Sequence, residues 1–518
     1  MTNDDTTGLG RRGVLKLIGG ATAGLGLWSG TASAHAFTFE GCERVCTDTD
    51  GNYAVVEAGV RYEGRKLPAA PERDAPWGHD NTFCYTAADD ERVVGFIEED
   101  EYRKGEGCTL HVNPNDCVSV GADEILSLID RDTIGGCDGV LYPACDPTLP
   151  EADWVDFAET FEAERDASAQ SLVQTADGGF ALAGRRETAA GNADACLLVT
   201  DGDGNELVDR TYGGDETEVM YDVVETNDGG FAMAGITTSF GAGDYDAWLV
   251  KTDETGDVEF TETYGGDRQD RAYALVQTAD GGFVLAGDRT SAESAGNDFW
   301  LVKTDEAGDE EFSRTYGRGA NSETLEAMVQ TSDGGFALAG TTRSDDTFEN
   351  SLWLVKTDEA GDEEFSTAID TDGVDRANAL VQTDDGGFAL AGSGVAEDRA
   401  GEVWLVKTDE TGDEAFVESY GGDELDLADG VVQTADGGFA LAGLTESSDA
   451  DGSDVYFLTT DESGEVTAER TYGSCGHDRA RDLVRTADGA FALAGDVAGS
   501  ERIRPTEMAL VKTATDLE

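Results

Sequence analysis

Positive charge is the first thing this chain lacks. Lys and Arg together number 35 against 109 Asp and Glu, a formal net charge of −74 over 518 residues. The acidic residues run along the whole chain rather than gathering in a tail, which excludes a basic groove for nucleic acid and repels anionic membranes. Histidine is nearly missing: His35, His79, His111 and His477 are the full set. Few side chains are therefore available to act as a base near neutral pH. No Gly-x-Ser-x-Gly, phosphate-binding loop or His-Glu-x-x-His occurs. The apolar stretch at 17–28 is too short for a good transmembrane helix, and no such stretch lies near Glu518.

What is present is a repeat. The phrase SLVQTADGGFALAG at 171–184 returns six times, its second glycine standing at Gly179, Gly230, Gly282, Gly335, Gly387 and Gly438, with Ala490 in the last copy. Intervals of 51 to 53 residues suit the blades of a propeller or the units of a solenoid. Each copy reads as four strands. In the second, 221–226 and 231–235 flank Asn227-Asp228-Gly229-Gly230, where Asp-Gly between apolar runs predicts a tight hairpin with both turn residues at positive φ. A loop rich in Ser, Gly and Asp leads to a third strand at 247–252, and a turn at 253–257 leads to a fourth at 258–264.

Side-chain size fits wedge-shaped blades, with Ala, Leu and Gly in the second strand and Trp248, Trp300, Trp353 and Trp404 in the third. Such repeated tryptophans are expected to fill the core rather than form a ligand platform. The last copy ends after its third strand, and the segment 155–161 ahead of the first copy matches a fourth strand. That orphan would complete the last blade and leave no open sheet edge. The expected fold is all-β: a seven-bladed β-propeller at 154–518, closed by an N-terminal strand.

The run of TxDGGFxLAG, WLVKTDxxGD and TYGG resembles the repeats of secreted bacterial and archaeal β-propeller proteins, and the resemblance covers 154–518. It implies the fold and leaves activity open. The turn at 253–256 also resembles the Asp-x-x-Thr-Gly motif of quinoprotein blades, but is one residue short and is followed by Phe260 where those carry tryptophan. The acidic, lysine-poor composition is similar to that of halophilic archaea, whose surface charge is screened by molar salt.

Arg11-Arg12-Gly13-Val14-Leu15-Lys16, the apolar run and small residues ending at Ala34 and Ala36 resemble a twin-arginine export signal over 1–36. The expectation is an extracellular protein with no membrane span once mature, and a monomer. Seven of the nine cysteines lie before the repeats: Cys42, Cys46, Cys84, Cys108, Cys117, Cys137 and Cys145. Export favours disulfides, so 37–150 reads as a small cysteine-rich β domain with strands at 53–62 and 92–97. A metal cluster with His79 and His111 is the alternative. Seven is odd, and Cys475 is a candidate partner for the remaining thiol.

Variable loops on a rigid ring are the default binding surface. They lie on the face shared by the loop before each first strand and the loop after each second strand. At the start of the first strands stand Glu218, Asp270, Glu323, Asp375, Asp426 and Asp478. Approaching the axis from successive blades, they could hold Ca2+; alternatively each caps loop backbone or pairs with arginine, since Arg271, Arg376 and Arg479 follow three of them. A second series, Asp194, Asp246, Asp298, Glu402 and Asp454, opens the third strands and reads as structural. Asp201-Gly-Asp203-Gly-Asn205 resembles the start of a calcium loop but lacks its downstream glutamate. Cys196 reads as a buried, inert thiol. The chain is expected to be a binding or scaffold protein rather than an enzyme. Its expected partner is a cell-surface protein, a glycan or a small ligand. An extracellular polysaccharide-acting enzyme with axial carboxylates is the alternative.

Overall fold

The computed structural model describes residues 152–515 except 153, 162–164, 291–295, 319–321, 344–349, 370–373, 396–400, 423, 448–452, 474–476 and 499–505; within 1–151 it describes eight strands. Every described element is a strand. The chain divides into two compact units, Met1–Cys145 and Asp146–Glu518.

In the first unit, Ala36–Glu40, Arg61–Lys66, Asp80–Thr86, Arg92–Glu98 and Leu141–Pro143 form one sheet in that order, and Tyr53–Val56, Arg44–Thr47 and Cys117–Ser119 form another. The run expected as one strand at 53–62 is thus divided between two sheets. Backbone register sets Cys46 opposite Cys117. The stretch 1–35 expected to be an export signal, Cys42, Cys108, Cys137, Cys145, Cys475, His79 and His111 lie outside the described residues, as do the side chains of Cys46, Cys84 and Cys117.

The second unit is a seven-bladed propeller of four-stranded antiparallel sheets. The first strand of each repeat is innermost, and each inner strand touches its two neighbours, Ala167–Gln174 of blade 1 closing the circle against Arg479–Arg485 of blade 7. Blade 7 is completed by Val155–Phe161, which pairs antiparallel with Thr506–Thr513, Lys512 opposite Phe157. The predicted closing strand is therefore in place.

The core lies between blades. One cluster joins Ala183 and Leu197 of blade 1 to Met220, Met233 and Trp248 of blade 2, and its counterpart at the seam joins Leu182 to Met508 and Leu510. Trp248, Trp300 and Trp353 are buried, as core tryptophans should be, whereas Trp404 is half-buried. Each fully buried large side chain contributes roughly 1.5–3 kcal/mol.

The recurring motifs are fasteners. The tyrosine of TYGG donates to the turn glycine of the next blade: Tyr212 to Gly256 O at 2.8 Å, Tyr264 to Gly308 O at 2.6 Å and Tyr316 to Gly361 O at 2.6 Å. The lysine of VKT is buried and ties the first hairpin to the outer strand, Lys251 Nζ lying 3.0 Å from Asp228 and 2.8 Å from Glu259. The first hairpin is longer than the expected two-residue turn. Gly229 N donates to Thr226 O and Thr226 N to Gly230 O, with Gly229 at φ +85°. Asp228 serves through its side chain instead, accepting from Thr226 Oγ1 at 2.5 Å and Gly230 N at 3.1 Å.

Candidate functional site

Each inner strand carries a bulge in its middle. In blade 2 the register slips between Met220 and Asp222, leaving Tyr221 unpaired, and the same slip recurs in all seven blades. A bulge re-aims its extra residue. It needs the glycine of each LAG opposite it: a Cβ on Gly235 would lie 1.9 Å from Val219 O. The near-invariant LAG and the bulge are thus one device, and it leaves one unpaired residue per blade on the innermost strand, the strand nearest the axis.

Those seven side chains are Gln170, Tyr221, Tyr273, Glu326, Asn378, Asp429 and Arg481. They meet across blades. The Tyr221 and Tyr273 rings are 5.0 Å apart, tilted by 54°. Arg376 bonds Glu326 of the preceding blade, and Arg479 grips Asp429 of the preceding blade through two bonds, Nε at 2.5 Å and Nη2 at 2.6 Å. Asn378 Nδ2 donates to Ala428 O at 2.8 Å. Within their own blades, Gln170 Nε2 donates to Ser168 Oγ at 2.6 Å, and Arg481 Nε donates to Asp496 at 2.6 Å. Arg271 lies 3.7 Å from Asp288 and stands over the Tyr245 ring at 5.4 Å.

Four arginine–carboxylate pairs therefore surround the axis, in a protein with few cations to spend. Asp288 Oδ1 and Asp496 Oδ1 are buried with no hydrogen-bond partner. Burial pushes Glu326 up to about 7 against the pull of Arg376, and Asp288 up to about 6 against Arg271. One residue further along, Ser171, Ala274, Ala327, Ala379 and Gly430 are small, while blades 2 and 7 place Asp222 and Asp482 there. Asp222 accepts from Ser171 Oγ at 2.9 Å and from Leu275 N at 2.6 Å; Asp482 accepts from Leu172 N at 2.7 Å. Desolvation between the crowded inner strands raises them to about 7 and about 6.

The carboxylates named from sequence for calcium open the inner strands. Glu218, Asp270, Glu323 and Asp426 each bond the loops around them, as the capping alternative expects. Gly214 N, Gly266 N and Gly422 N donate to Glu218, Asp270 and Asp426 at 2.9, 2.7 and 2.6 Å, and Thr342 Oγ1 donates to Glu323 at 3.0 Å. Asp478 is buried at the matching place; the side chain of Asp375 lies outside the described residues. The arginines that follow them point the other way, because neighbours on a strand face opposite sides. Arg271, Arg376 and Arg479 serve the axis, and it is Arg289 that reaches Asp270, at 3.3 Å.

The two acidic series meet in pairs across blade junctions. A Cβ on Gly213 would lie 2.7 Å from Glu218 and 2.8 Å from Asp194, and one on Gly265 would lie 2.6 Å from Asp270 and 2.9 Å from Asp246. Burial and the facing carboxylate raise Asp194, Asp270 and Glu323. Among the described residues no group of three or more His, Cys, Asp or Glu is placed to hold a metal ion. Asp201 folds onto its own turn, accepting from Asp203 N at 3.0 Å and Asn205 N at 2.9 Å. Cys196 is buried, and its thiol is pushed up to about 12.

The loops expected to form the ligand face do share the end of the ring where the inner strands begin. They clasp one another: Asp270 N donates to Tyr245 O at 2.9 Å and Asp478 N to Ser453 O at 2.7 Å across junctions. Phe240 is exposed on this face and packs on Trp248 at 5.7 Å. At the opposite end the inner strands are stitched into a belt, Asn227 N donating to Gln277 at 2.9 Å and Ala487 N to Gln174 at 2.8 Å. The axial seven escaped the sequence reading. That position differs from copy to copy, as does the place two residues earlier, which runs from Ser168 and Val219 to Leu427 and Arg479.

No protein-family model matches the chain, and no curated protein does. Among solved structures, Sqt1 from Chaetomium thermophilum is 13% identical, covering 67% of this chain and 83% of its own, with a TM-score of 0.39. The WD40 domain of Neurospora crassa Pan2 is 10% identical, covering 68% and 90%, with a TM-score of 0.41. A fungal alcohol oxidase of the AA5 family, in complex with copper, is 12% identical, covering 69% and 76%, with a TM-score of 0.41. The architecture of this chain is read from its own strand pairing.

Proposed function

We propose that this chain is an exported recognition protein whose ligand enters the propeller axis from the variable-loop face. The observation that carries the reading is the contrast within the repeat. Packing positions recur almost unchanged through seven blades, whereas the axial position runs Gln170, Tyr221, Tyr273, Glu326, Asn378, Asp429, Arg481. Packing alone would favour a repeated residue there, as it does two positions further on, where Leu172, Val223, Leu275, Met328, Leu380, Val431 and Leu483 alternate among aliphatics. A ring of unlike polar groups on a rigid frame is what binding an asymmetric ligand requires.

The twin-arginine-like leader supports export, and the −74 charge supports a salt-rich exterior. No described helix is long and apolar enough to cross a membrane. The partner is a component of the cell surface, held by a monomer. Catalysis on extracellular polysaccharide is the second reading, and Glu326 and Asp288 favour it, since both are axial carboxyls raised toward neutrality.

Sedimentation of the full chain with cell envelopes in molar salt tests this. Asp429→Ala with Arg481→Ala, which unpairs two axial groups, is expected to lower retention at least tenfold. Leu207→Ser with Val258→Ser, on the exposed outer edge, should leave it unchanged. Equal retention by both variants would move recognition off the axis. Shortening of the envelope polysaccharide over time would replace binding with hydrolysis.

A further inference from the structure

Building on that axial reading, we propose that the ligand is a neutral carbohydrate whose pyranose ring lies against Tyr221 and Tyr273 while its hydroxyls bond the planar polar groups around the axis. All seven axial side chains end in planar groups: two carboxamides, two phenols, two carboxylates and a guanidinium. Aliphatic side chains, lysine and small hydroxyls are missing from the set. A planar group with two polar atoms can bond two adjacent hydroxyls at once, and the seven together offer both donors and acceptors. Vicinal hydroxyls on a rigid ring are the matching partner.

Charge argues for a neutral ligand. Arg271, Arg376, Arg479 and Arg481 are each engaged with a carboxylate, Asp288, Glu326, Asp429 and Asp496 in turn. Arg185, exposed and close enough to act on Tyr221, is the one arginine beside these groups for which no carboxylate partner is described, while the −74 of the whole chain repels polyanions. Two buried acceptors remain open, Asp288 Oδ1 in blade 3 and Asp496 Oδ1 in blade 7. An unpaired buried acceptor is costly, and an uncharged hydroxyl can supply its donor.

The two sides of the axis differ. On blades 5 to 7 the polar groups already bond one another: Asn378 to Ala428 O, Arg479 to Asp429, and Arg481 to Asp496. On blades 2 and 3 the wall is aromatic, the half-buried Tyr221 and Tyr273 rings tilted into a shallow wedge. The C–H face of a pyranose is apolar and lies well on an aromatic ring, with its hydroxyls directed outward. A purely ionic ligand would leave the tyrosine wall unused.

Saturation-transfer NMR on the full chain in 2 M KCl, with the methyl pyranosides of glucose, galactose, mannose and N-acetylglucosamine as probes, is the direct test. Transfer is expected to the C–H protons of one ring face of at least one probe. Tyr221→Ala and Tyr273→Ala should each weaken affinity at least tenfold, whereas Tyr221→Phe, which keeps the ring, should stay within about threefold of the parent. No transfer to any probe, together with no retardation of the chain in gels containing neutral glucan, mannan or galactan, overturns the carbohydrate assignment. Envelope retention separates the two ideas. If Asp429→Ala with Arg481→Ala abolishes retention while both tyrosine-to-alanine variants keep it, axial recognition stands and the stacking ligand falls. If none of these variants alters retention, both fall.

Discussion

Asp222 and Asp482 show how one residue type can serve opposite ends of the pH scale in the same blade. Both stand between inner strands, one on each side of Ser171, and burial raises them to about 7 and about 6. Asp228, Asp280, Asp333 and Asp385, in the hairpin turns, are held near about 2 by threonine hydroxyls, backbone N–H groups and the buried lysines. A carboxyl whose folded pKa is raised binds its proton more readily in the native state, so its contribution is present at low pH and is lost as pH rises through 6 to 7. The turn carboxylates act in reverse, contributing above the ordinary value near 4 and losing that contribution as pH falls toward 2. Both trends meet at the ordinary carboxyl value, so stability should peak at about pH 4 and fall from there to about pH 7. Thermal unfolding followed by circular dichroism is expected to show Tm lower at pH 8 than at pH 5, each unit of upward shift being worth ~1.4 kcal/mol at the alkaline end. Asp222→Asn with Asp482→Asn should flatten that alkaline slope; an unchanged slope would remove these carboxyls as its cause.

The same residue scale explains what the sequence hid. A reading that searches for repeats selects Glu218 and its equivalents, because a carboxylate capping Gly214 N or Gly266 N is needed at nearly every junction. It passes over Tyr221 and its equivalents, because no common residue marks the place. The bulge was legible in principle. The LAG glycine is kept in every copy, and its reason is Val219 O at 1.9 Å from the absent Cβ, rather than close approach of neighbouring sheets.

At the scale of the element, strands and their order were plain from apolar runs punctuated by DGG and DExGD, and so was closure by 155–161. Turn chemistry was less so. Asp-Gly suggested a two-residue turn, yet Thr226 and Asp228 build a longer one by bonding each other, a competition between side chain and backbone that dipeptide rules do not weigh. The closing strand carries a direct expectation. Removing Val155–Phe161 leaves Thr506–Thr513 as an open edge and uncovers Met508 and Leu510 at the blade 7–blade 1 core. Such a chain should lose the single cooperative transition of the parent in denaturant and self-associate on size-exclusion chromatography. A monomeric chain with an unchanged midpoint would mean that six complete blades hold the ring without its clasp.

For the whole molecule, charge dominates. A surface of −74 repels itself, and added salt shortens the reach of that repulsion from about 10 Å at 0.1 M to about 3 Å at 1 M. Tm is expected to climb as KCl rises from 0.1 to 2 M, with NaCl acting alike. Because the first-strand carboxylates already accept from loop N–H groups, a chelator at constant KCl should leave Tm where it was. A fall on chelation would instead place calcium at the paired carboxylates, Asp194 with Glu218 and Asp246 with Asp270.

The seam through blade 7 also sets a clock. Phe157 and Lys512 stand opposite one another in register, some 355 residues apart in the chain. At ribosomal speeds of about 5–20 residues per second, the clasp strand waits on the order of 20–70 s for its partner to be made. Six blades can assemble in that interval, each on the one before, but the circle cannot shut. Whatever engages the chain before its last strand is made would meet an open ring; whatever waits for that strand would meet a closed one.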